Sequence, residues 1–583
     1  MDTQRIIALI IFSFTSLLLW EAWQKHVSPP VLALTPLVSQ VASPAAVSSG
    51  ATPAGATVPG GSASVPSPST SLAVTGDKAL DAATGAAVNA AGAPAASTQQ
   101  IIAKSDILEI AFDSTGGDIR QVVLLKHFAR GDAAKPFILM QEKVGHYFIV
   151  QTGLLGAGLP NHTSRWTPVA SNFELGSKDK IDVTFTNTET PGVVVDKVYT
   201  LTRGSYVVDV RYDIKNATDA VIQPKAYFQF LRDANPPEGE STGNNPFTGI
   251  ATFTGPAIYT EVKKFQKVSF SDIEKNKAEH VKEASDGWLA MVQHYFVSAW
   301  LPVEGAGARE FFTKRVTDQL FSAGVITPVP AAAVNGSSTI SMPLYLGPQE
   351  QDKLNKLRPG LGLVVDYGWL TFLAYPMFVV LLFINNIVGN WGWTIIIFTI
   401  LLKLVFFPLN QKSGKSMAHM KTLMPKMEAL KARFGDDKMK LNQGMMELYK
   451  TEKVNPLGGC LPIIIQIPFF ISLYWVLLAA VELRNAPWLG WISDLSTPDP
   501  FYILPVIMGA SMIIQTRLNP QPTDPIQAKV MMILPFVFSI MFFFFPSGLV
   551  LYWTMQNILG IGQQWYINKT FMPTPVKLTT PKR

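Results

Sequence analysis

The sequence of 583 residues is poor in cysteine and in charge. Its one cysteine, Cys460, excludes an intramolecular disulfide, so every folded part of the chain must be stabilised by packing. Cys460 begins an apolar run, and we expect it to pack there without a chemical role. Charged residues make up only 15% of the chain, which is typical of a protein with a large membrane-embedded part.

The chain also lacks the signatures of common enzymes. Gly414-Lys415-Ser416 would end a phosphate-binding loop, but Leu409 stands where that loop needs a glycine. No His-Glu-x-x-His pair and no Gly-x-Ser-x-Gly elbow occurs, and the seven histidines are scattered. These absences predict a protein that is not an enzyme and that needs no metal, nucleotide or other cofactor.

The N-terminal part of the sequence divides into an anchor and a linker. After Met1-Asp-Thr-Gln-Arg5 comes an apolar run that ends at Trp20, and Trp23 follows where a cleaved signal peptide would need small residues. Because tryptophan favours the membrane interface, we interpret 1–27 as a retained membrane anchor. Residues 28–100 are nearly all Ala, Pro, Ser, Thr, Gly and Val, which predicts a disordered linker.

Short alternating segments predict a β-domain over 101–346. Two pairs of segments are each joined by a turn: Ile107–Phe112 with Ile119–Leu125, and Val193–Leu201 with Tyr206–Ile214. Short strands at this spacing are typical of an antiparallel β-sandwich. We interpret the apolar stretch Trp288–Trp300 as a helical segment that interrupts the sandwich.

Long apolar segments after Gly347 predict membrane-spanning helices. Five candidate spans are Trp391–Pro408, Gly458–Ala480, Phe501–Arg517, Lys529–Phe545 and Gly548–Tyr566. The loop 410–455 carries ten Lys or Arg against five acids, so the positive-inside rule places it in the cytoplasm. If Tyr367–Val388 also crossed the membrane, this loop would lie outside. We therefore expect Tyr367–Val388 to lie along the outer membrane surface, within an interfacial region 347–390.

With the N-terminal anchor, the chain then has six spans. This count places the β-domain outside and both termini in the cytoplasm, including the short basic tail 567–583. The sequence thus predicts a multi-spanning α-helical membrane protein. It has a membrane core at 391–566, an exported all-β sandwich and a cytoplasmic helical hairpin at 410–455.

Lys403 is a charge inside the candidate span Trp391–Pro408. A lysine near the bilayer centre costs about 2.5–3.5 kcal/mol on insertion scales. One interpretation is that its stem snorkels to the cytoplasmic interface, since Pro408 lies only about 7.5 Å further along a helix. The alternative is that Lys403 faces a wet cavity, with Thr399 one turn earlier on the same helix face.

Sparse polar residues on the other spans favour the cavity. One such residue per helix would merely bond a neighbouring backbone, but several helices contribute them: Gln466, Ser511, Gln515, Ser539, Gln556, Asn557 and Gln563. The candidate spans contain no acidic residue. This argues against a proton relay and for water or a ligand as the partner of Lys403.

The basic loop 410–455 has the pattern of an antiparallel helical hairpin. Apolar residues recur at helical spacing on either side of a turn at Gly435–Asp437: Met417, Met420, Met424, Met427, Leu430 and Phe434, then Leu441, Met445 and Leu448. This seam either closes the hairpin on itself or contacts apolar partners. Methionine suits the second role because it adapts to varied apolar surfaces, and we expect Met420, Met424 and Met427 to make such contacts.

Short motifs along the whole chain carry a family resemblance. They are Met1-Asp-x-Gln-Arg5, Trp20-Glu-Ala-Trp23, Gly287–Phe296 with Ala299-Trp-Leu-Pro302, Asp366–Leu370, Gly389–Gly392, Asn455–Pro462 with Gln466-Ile-Pro468, Val481–Arg484 and Phe545–Tyr552. Together they resemble the YidC family of bacterial membrane protein insertases. The match is dense over 391–566 and absent from the linker.

The resemblance implies an insertase and chaperone of the bacterial inner membrane. Such a protein moves hydrophobic segments of nascent inner-membrane proteins from the cytoplasm into membrane lipid, alone or with the Sec translocon, and binds no nucleic acid. In the family a groove, open to the cytoplasm and to lipid, holds a positive residue that is usually arginine. Lys403 stands at that position, and Tyr552 and Trp553 match paired aromatics that guide the incoming segment. The groove contacts expected here are Lys403, Thr399, Gln466, Gln515, Tyr552, Trp553 and Asn557.

Two other classes of protein compete with this interpretation. A solute transporter would bind an anion in a cavity at Lys403, but transporters usually show internal repeats and the sequence has none that we find. A sugar-acting enzyme housed in the β-domain would need paired carboxylates in a cleft, which the sequence alone does not place.

Overall fold

The structure, a computed structural model, describes residues 100–129, 132–237, 252–303, 305, 307–435, 437–452, 461–518 and 525–571. Apart from 525–530, these residues belong to one compact unit. The predicted anchor and linker before residue 100 lie outside the described residues, as do Cys460 and the tail after residue 571.

Nineteen strands form the N-terminal part of the described chain. They are β1 Gln100–Lys104, β2 Leu108–Asp113, β3 Asp118–Ala129, β4 Asp132–Lys143, β5 His146–Leu155, β6 Thr167–Pro168, β7 Asn172–Glu174, β8 Lys180–Asn187, β9 Val193–Thr202, β10 Val207–Asn216, β11 Lys225–Asp233, β12 Gly255–Thr260, β13 Lys264–Lys267, β14 Glu283–Ala284, β15 Trp288–Gln293, β16 Phe296–Trp300, β17 Arg309–Arg315, β18 Leu320–Pro328 and β19 Gly336–Pro348. One short helix, α1 Phe270–Glu274, lies between β13 and β14.

Among the described residues the strands form two sheets. A ten-stranded sheet has the order β14-β17-β18-β11-β5-β4-β3-β2-β1-β7, and a nine-stranded sheet has the order β13-β12-β15-β16-β19-β10-β9-β8-β6. The pairings are antiparallel except that between β1 and β7. Both predicted strand pairs are confirmed, as β2 with β3 and β9 with β10.

The two sheets pack face to face around an apolar core. Phe112 of β2 and Tyr199 of β9 meet across the sheets with ring centroids 4.7 Å apart, and Phe228 of β11 meets Trp300 of β16 at 5.1 Å. Alternate residues of these strands point inward, as the period-two pattern predicts. The β-sandwich expected from the sequence is therefore present.

The helical segment predicted at Trp288–Trp300 is wrong. This stretch forms two strands, β15 and β16, joined by a turn in which Tyr295 has a φ of 65°. Every residue of both strands is buried, because one face meets the sandwich core and the other meets the helices that follow. A strand buried on both faces is apolar throughout, so its sequence does not alternate and can be mistaken for a helix.

The C-terminal part of the described chain is helical. Its helices are α2 Gln351–Leu357, α3 Thr371–Val388, α4 Trp391–Phe434, α5 Lys438–Thr451, α6 Leu461–Ala479, α7 Ile503–Leu518, α8 Pro525–Phe542 and α9 Ser547–Phe571. Short 3-10 turns lie at Leu361–Val364, Gly368–Leu370 and Val481–Leu483. Two helical stretches of the described chain are long and apolar enough to cross a membrane, 368–388 and 391–416, and shorter apolar helices lie at 465–479, 503–518 and 532–542.

Helix α4 joins the first candidate span of the membrane core to the first arm of the hairpin. It runs without interruption for 44 residues and contains Pro408 and Pro425. The candidate span that we ended at Pro408 therefore continues as one helix into the basic region. The turn predicted at Gly435–Asp437 is confirmed, because α4 ends at Phe434 and α5 begins at Lys438.

A second apolar core joins the sandwich to the helices. The outer face of the nine-stranded sheet contributes Ala290, Val297 and Tyr345, and the helical part contributes residues such as Phe378 and Leu473. The short turns between α2 and α3 fill the space between these two layers. The β-domain is thus packed directly against the helical body.

The segment that follows α6 makes the polar contacts of this junction. Arg484 donates a hydrogen bond from Nη2 to the carbonyl oxygen of Phe128 at 2.9 Å, and its guanidinium lies 4.7 Å from the ring centroid of Phe137. His294 Nε2 lies 2.9 Å from the carbonyl oxygen of Leu478 near the end of α6. A charged hydrogen bond and a cation–π contact in a desolvated site are among the stronger polar interactions.

Glu482 lies two residues before Arg484 in the same junction, and its carboxyl group is largely buried. Its Oε2 is buried and accepts no hydrogen bond from the described residues. Burial raises the pKa of Glu482 to about 7. A hydrogen bond from its own backbone N–H opposes this shift, the carboxylates of Glu350 and Asp352 reinforce it, and Lys353 opposes it. The protonated, neutral form of Glu482 therefore fits the junction best.

We expect Glu482→Gln to remove a pH dependence of stability. Because the pKa in the folded protein lies above its ordinary value, the stabilisation from protonated Glu482 is complete below about pH 4.5 and is lost as pH rises through 7. The Gln variant should match the wild type near pH 4.5 and exceed its stability at pH 8, by up to about 3 kcal/mol. Thermal unfolding of the purified protein in detergent measures this. The exposed Glu279→Gln is the control, and parallel pH profiles of wild type and Glu482→Gln would contradict the assignment.

Candidate functional site

Four helices of the membrane core enclose a cavity of about 220 Å³. It is lined by Lys403 of α4, by Gln466, Ile467 and Phe470 of α6, by Gln515 of α7, and by Tyr552, Trp553, Gln556 and Asn557 of α9. We call it the Lys403 cavity. The structure therefore brings together six of the seven residues predicted as groove contacts, from four segments far apart in the sequence.

Thr399 is the predicted contact that does not line the cavity. Its side chain is fully buried, and its hydroxyl donates a hydrogen bond to the carbonyl oxygen of Ile395 at 2.6 Å. A threonine that bonds the preceding turn of its own helix has its donor satisfied. Thr399 is thus placed to pack α4 rather than to meet a ligand.

The register of α4 against α9 locates Lys403. Gly548 lies beside Ile395, and Ile567 lies beside Gly414, so the same offset of 153 positions holds at both ends and the helices run parallel. By this offset Gln556 is level with Lys403. The Lys403 ammonium, however, lies near Gly560, where an added Cβ would be 3.7 Å from Nζ. The head of Lys403 therefore leans about 6 Å along the helix axis, one turn past its own Cα.

This geometry combines the two interpretations of Lys403. The side chain leans toward the end of α4 that carries the basic hairpin, as a snorkelling lysine would. Its head nevertheless stays between α4 and α9 and lines the cavity. Within the part of the chain that the structure describes, no ion pair or hydrogen bond to Lys403 is formed. Among the described residues, its charge is thus left to water or a ligand in the cavity.

Gly560 makes room for this arrangement. A Cβ at this position would lie 3.1 Å from Nε2 of Gln515 as well as within reach of Lys403. That distance is tighter than ordinary van der Waals contact. The absence of a side chain at Gly560 lets the amide of Gln515 and the ammonium of Lys403 converge on one spot.

Hydrogen bonds hold the polar side chains of α9 in fixed positions. Asn557 donates from Nδ2 to the hydroxyl of Ser511 on α7 at 3.1 Å, and Ser511 donates in turn to the carbonyl oxygen of Met508 at 2.6 Å. Gln556 donates from Nε2 to the hydroxyl of Tyr552 at 3.0 Å. These bonds tie α9 to α7 and fix the amides that line the cavity.

Aromatic rings form the apolar wall of the cavity. Phe470 of α6 meets Trp553 edge to face with centroids 4.3 Å apart, and it stacks near Tyr552 at 6.3 Å. Trp553 also meets Phe542 of α8 at 5.0 Å. Tyr552 is 1% exposed whereas Trp553 is half-buried, so Trp553 is the more accessible of the predicted aromatic pair.

The end of the cavity nearest the β-domain is closed. Leu549, Met508 and Ile395 are buried there in one cluster. The loop before α7 seals the start of α9, since Ser547 donates from Oγ to the carbonyl oxygen of Thr497 at 2.7 Å. At the other side, Ile467 is 48% exposed and lies at the cavity's mouth.

The seam of the hairpin closes on itself. Leu423 and Met427 are buried against the second arm, with Met420, Met445, Leu448 and Tyr449 packed around them. Lys426 and Glu452 form an ion pair between the arms at 2.5 Å. Met427 is only 6% exposed, whereas Met420 and Met424 are half-buried.

Sequence reasoning missed three features of the site. Gln556 was noted as a polar residue but not as a cavity contact, and Phe470 and Gly560 were not singled out. Phe470 lies one helical turn after Gln466, so the i, i+4 spacing could have found it. The role of Gly560 depends on the register between α4 and α9, which no local pattern carries. Among the described residues, no group of His, Cys, Asp and Glu is arranged to hold a metal ion.

Two family models match the chain. The model described as 60Kd inner membrane protein matches residues 383–574, and the model described as YidC periplasmic domain matches residues 100–380. Together they cover the helical body and the β-sandwich.

Relatives match over the full length. The chain is 49% identical over 570 residues to membrane protein insertase YidC of Aromatoleum aromaticum, covering 98% of each protein. It is 46% identical over 572 residues to membrane protein insertase YidC of Methylobacillus flagellatus, again covering 98% of each. Among solved structures, an active YidC insertase with its first transmembrane domain resolved matches at 19% identity with a TM-score of 0.39, covering 81% of this chain and 93% of that one.

Proposed function

Because the chain belongs to the YidC family of membrane protein insertases, we propose that it inserts its substrates through the Lys403 cavity. The protein is a membrane protein insertase of the inner membrane, with a large periplasmic β-domain and a helical insertase core, and it is not an enzyme. Its substrates are nascent membrane proteins. The observation that supports the cavity is the convergence of Lys403 and four other polar side chains from helices α4, α6, α7 and α9.

The physical task of an insertase is to carry the polar flank of a segment past hydrocarbon. Lipid offers no hydrogen-bonding partner, so each unpaired polar group costs several kcal/mol there. A hydrated cavity that reaches part of the way across shortens this barrier. The described part of helix α7 has 16 residues, or about 24 Å, against a hydrocarbon thickness of about 30 Å, and thinning of the bilayer around a span of that length would shorten the barrier further.

Lys403 supplies the electrostatic part of the mechanism. Its ammonium has no carboxylate partner among the described residues, so an acidic or hydrated flank that enters the cavity gains a favourable interaction. Lysine provides a point charge and not the bidentate fork of arginine. The mechanism therefore needs a charge at this position and not one particular hydrogen-bonding geometry.

The aromatic wall supplies the apolar part of the mechanism. We propose that the hydrophobic segment passes Tyr552 and Trp553 and partitions into lipid, while its flank remains in the cavity. The half-buried Trp553 and its neighbour Phe470 present an apolar path beside the polar lining. No covalent step is needed, since partitioning of the apolar segment drives insertion.

The proposed topology has six spans, with 410–455 and both termini in the cytoplasm. Ten basic residues in 410–455 support this orientation. Helix α3 then lies at the periplasmic surface, although it is long enough to span. Large exposed apolar side chains lie along one face, which suits a helix lying in the interface: Trp369 just before it, then Phe372, Val379, Phe383 and Ile387.

The hairpin offers less apolar surface than its sequence suggests. Met427 is buried in the seam and is not accessible to a client. The half-buried Met420 and Met424 are the predicted hairpin residues that a client can reach. We propose that these two residues meet the apolar segment before it enters the cavity. The other proposed partners are the Sec translocon and membrane lipid.

Thiol labelling tests both the topology and the hydration of the cavity. In a Cys460→Ser background, Lys426→Cys and Gln515→Cys should react with a polar, membrane-impermeant maleimide in inside-out vesicles. Ser511→Cys, one turn before Gln515 and 5% exposed, should react in neither vesicle orientation and serves as the matched control. Labelling of Lys426→Cys from the periplasmic side would overturn the topology, and an unreactive Gln515→Cys would contradict a wet cavity.

Variants of Lys403 test the role of its charge. Lys403→Arg should retain activity because it keeps a charge of similar reach, whereas Lys403→Ala should lower insertion most for clients with acidic flanks. We expect a loss of about tenfold for such clients and a smaller loss for neutral flanks, since about 1.4 kcal/mol corresponds to a factor of ten. The measurement is insertion of matched clients with neutral and acidic flanks, at equal levels of each variant. If Lys403→Ala inserts each client as well as the wild type does, the groove charge has no role and Lys403 serves only as an interfacial anchor.

A further inference from the structure

Two hydrogen-bond donors meet at one spot in the Lys403 cavity. From the position that a Cβ on Gly560 would take, Nε2 of Gln515 lies at 3.1 Å and Nζ of Lys403 at 3.7 Å. The two nitrogens are therefore no further apart than these distances combined, or about 6.8 Å. Both residues line the cavity and are only partly buried, and neither nitrogen is among the fully buried, unpaired atoms of the described chain. A ligand in the cavity can thus reach both donors.

The amide of Gln515 turns its donor side toward this spot. After Nε2, the next atom of the amide is Cδ at 3.8 Å, so the acceptor Oε1 points elsewhere. A glutamine beside a lysine could accept a hydrogen bond from the ammonium with its oxygen. Among the described residues, however, neither Gln515 nor Lys403 forms a hydrogen bond or an ion pair. The two side chains therefore present unused donors side by side.

This arrangement lacks an acceptor. The ammonium of lysine has donors only, and the amide nitrogen of glutamine is likewise a donor, so the two groups repel unless an acceptor lies between them. The residues that line the cavity include no aspartate or glutamate. A carboxylate brings both a negative charge and two acceptor oxygens. Its bonds to N–H donors are about 2.7–2.9 Å long, so one carboxylate reaches donors up to about 7 Å apart.

From this juxtaposition we propose that Lys403 and Gln515 together bind a carboxylate of the client's flank, with Nζ donating to one oxygen and Nε2 to the other. Arginine presents two such donors from one side chain, whereas lysine is a point charge. Gln515 supplies the second donor that Lys403 lacks. Gln515 is thus a specificity-determining residue, because it touches the substrate and selects among anionic and neutral flanks.

This inference rests on the proposed function and deepens it. The charge of Lys403 attracts an acidic or hydrated flank in either case. The second donor adds a preference for the side chain of aspartate or glutamate over its neutral amide, since an amide offers one acceptor oxygen and no charge. The carboxylate belongs to the client and not to a lipid, so the effect of Gln515 depends on which residue the client carries.

Matched clients that differ only in Asp or Asn at one flank position test this proposal. The purified full-length protein in lipid vesicles inserts them. Gln515→Met keeps the length of the side chain and removes its donor. We expect it to slow the Asp client about three- to tenfold, the range of one net hydrogen bond, and the Asn client less than about twofold. Gln563→Met is the matched control, because Gln563 is also a partly buried glutamine of the core helices and does not line the cavity.

Two further variants separate a second donor from other roles of Gln515. In a Lys403→Arg background the guanidinium carries its own fork, so Gln515→Met should then slow the Asp client less than about twofold. Gly560→Ala crowds Nε2 of Gln515 and should also slow the Asp client more than the Asn client. Gly562→Ala is its control, since a Cβ there meets nothing within 4 Å. The unfolding temperature of each variant in detergent establishes that it is folded.

Three results would overturn the proposal. Equal slowing of the Asp and Asn clients by folded Gln515→Met would mean that Gln515 only shapes the cavity. Insertion of the Asp client at the wild-type rate would mean that Lys403 holds the carboxylate alone. A Gln515→Met defect that persists undiminished beside Lys403→Arg would mean that the amide does not replace a missing donor.

Lys403→Ala is measured alongside with the Asp client. If Lys403→Ala is defective while Gln515→Met is not, only this inference fails. An intact Lys403→Ala would overturn the proposed function and this inference with it.

Discussion

The membrane core is organised around a charge that no residue of the described chain neutralises. Desolvating an ammonium is costly, and a protein usually offsets that cost with a carboxylate or removes the charge. Here Lys403 is retained in a cavity lined by amides, beside a glycine that leaves space for its head. Such a site is satisfied only when water or a passing ligand solvates it. An insertase can use this property, because its ligand must enter, be held weakly and leave.

The rest of the helical body keeps that cavity open at one side and closed at the other. Buried apolar residues around Leu549 and Met508 close it toward the β-domain, and Ile467 is 48% exposed at its mouth. The β-sandwich contributes through its second apolar core and through Arg484, which holds the segment after α6. Since α6 carries Gln466 and Phe470, the sandwich steadies one wall of the cavity.

The sequence predicted the features whose signals are local. The strand pairs around β3 and β10 follow from alternation, and the hairpin follows from the methionine seam. The prediction failed at Trp288–Trp300, where burial on both faces removes the alternation that marks a strand. Four cavity residues, Lys403, Gln466, Gln515 and Asn557, were predicted because isolated polar groups are conspicuous in apolar helices, whereas Tyr552 and Trp553 were predicted from the family resemblance. Thr399, in contrast, bonds its own helix, and the significance of Gly560 and Gln556 depends on how α9 is placed against α4.

Site-specific photo-crosslinking tests most directly whether the polar flank of a client enters the Lys403 cavity. A photoreactive phenylalanine replaces Ile467, at the cavity's mouth, or Val405, which is 72% exposed on the same helix as Lys403 and does not line the cavity. Translation-stalled clients carry a tag in the flank or in the apolar segment. We expect the flank to crosslink at Ile467 and not at Val405. Flank crosslinks of equal yield at both positions, or at Val405 alone, would contradict it.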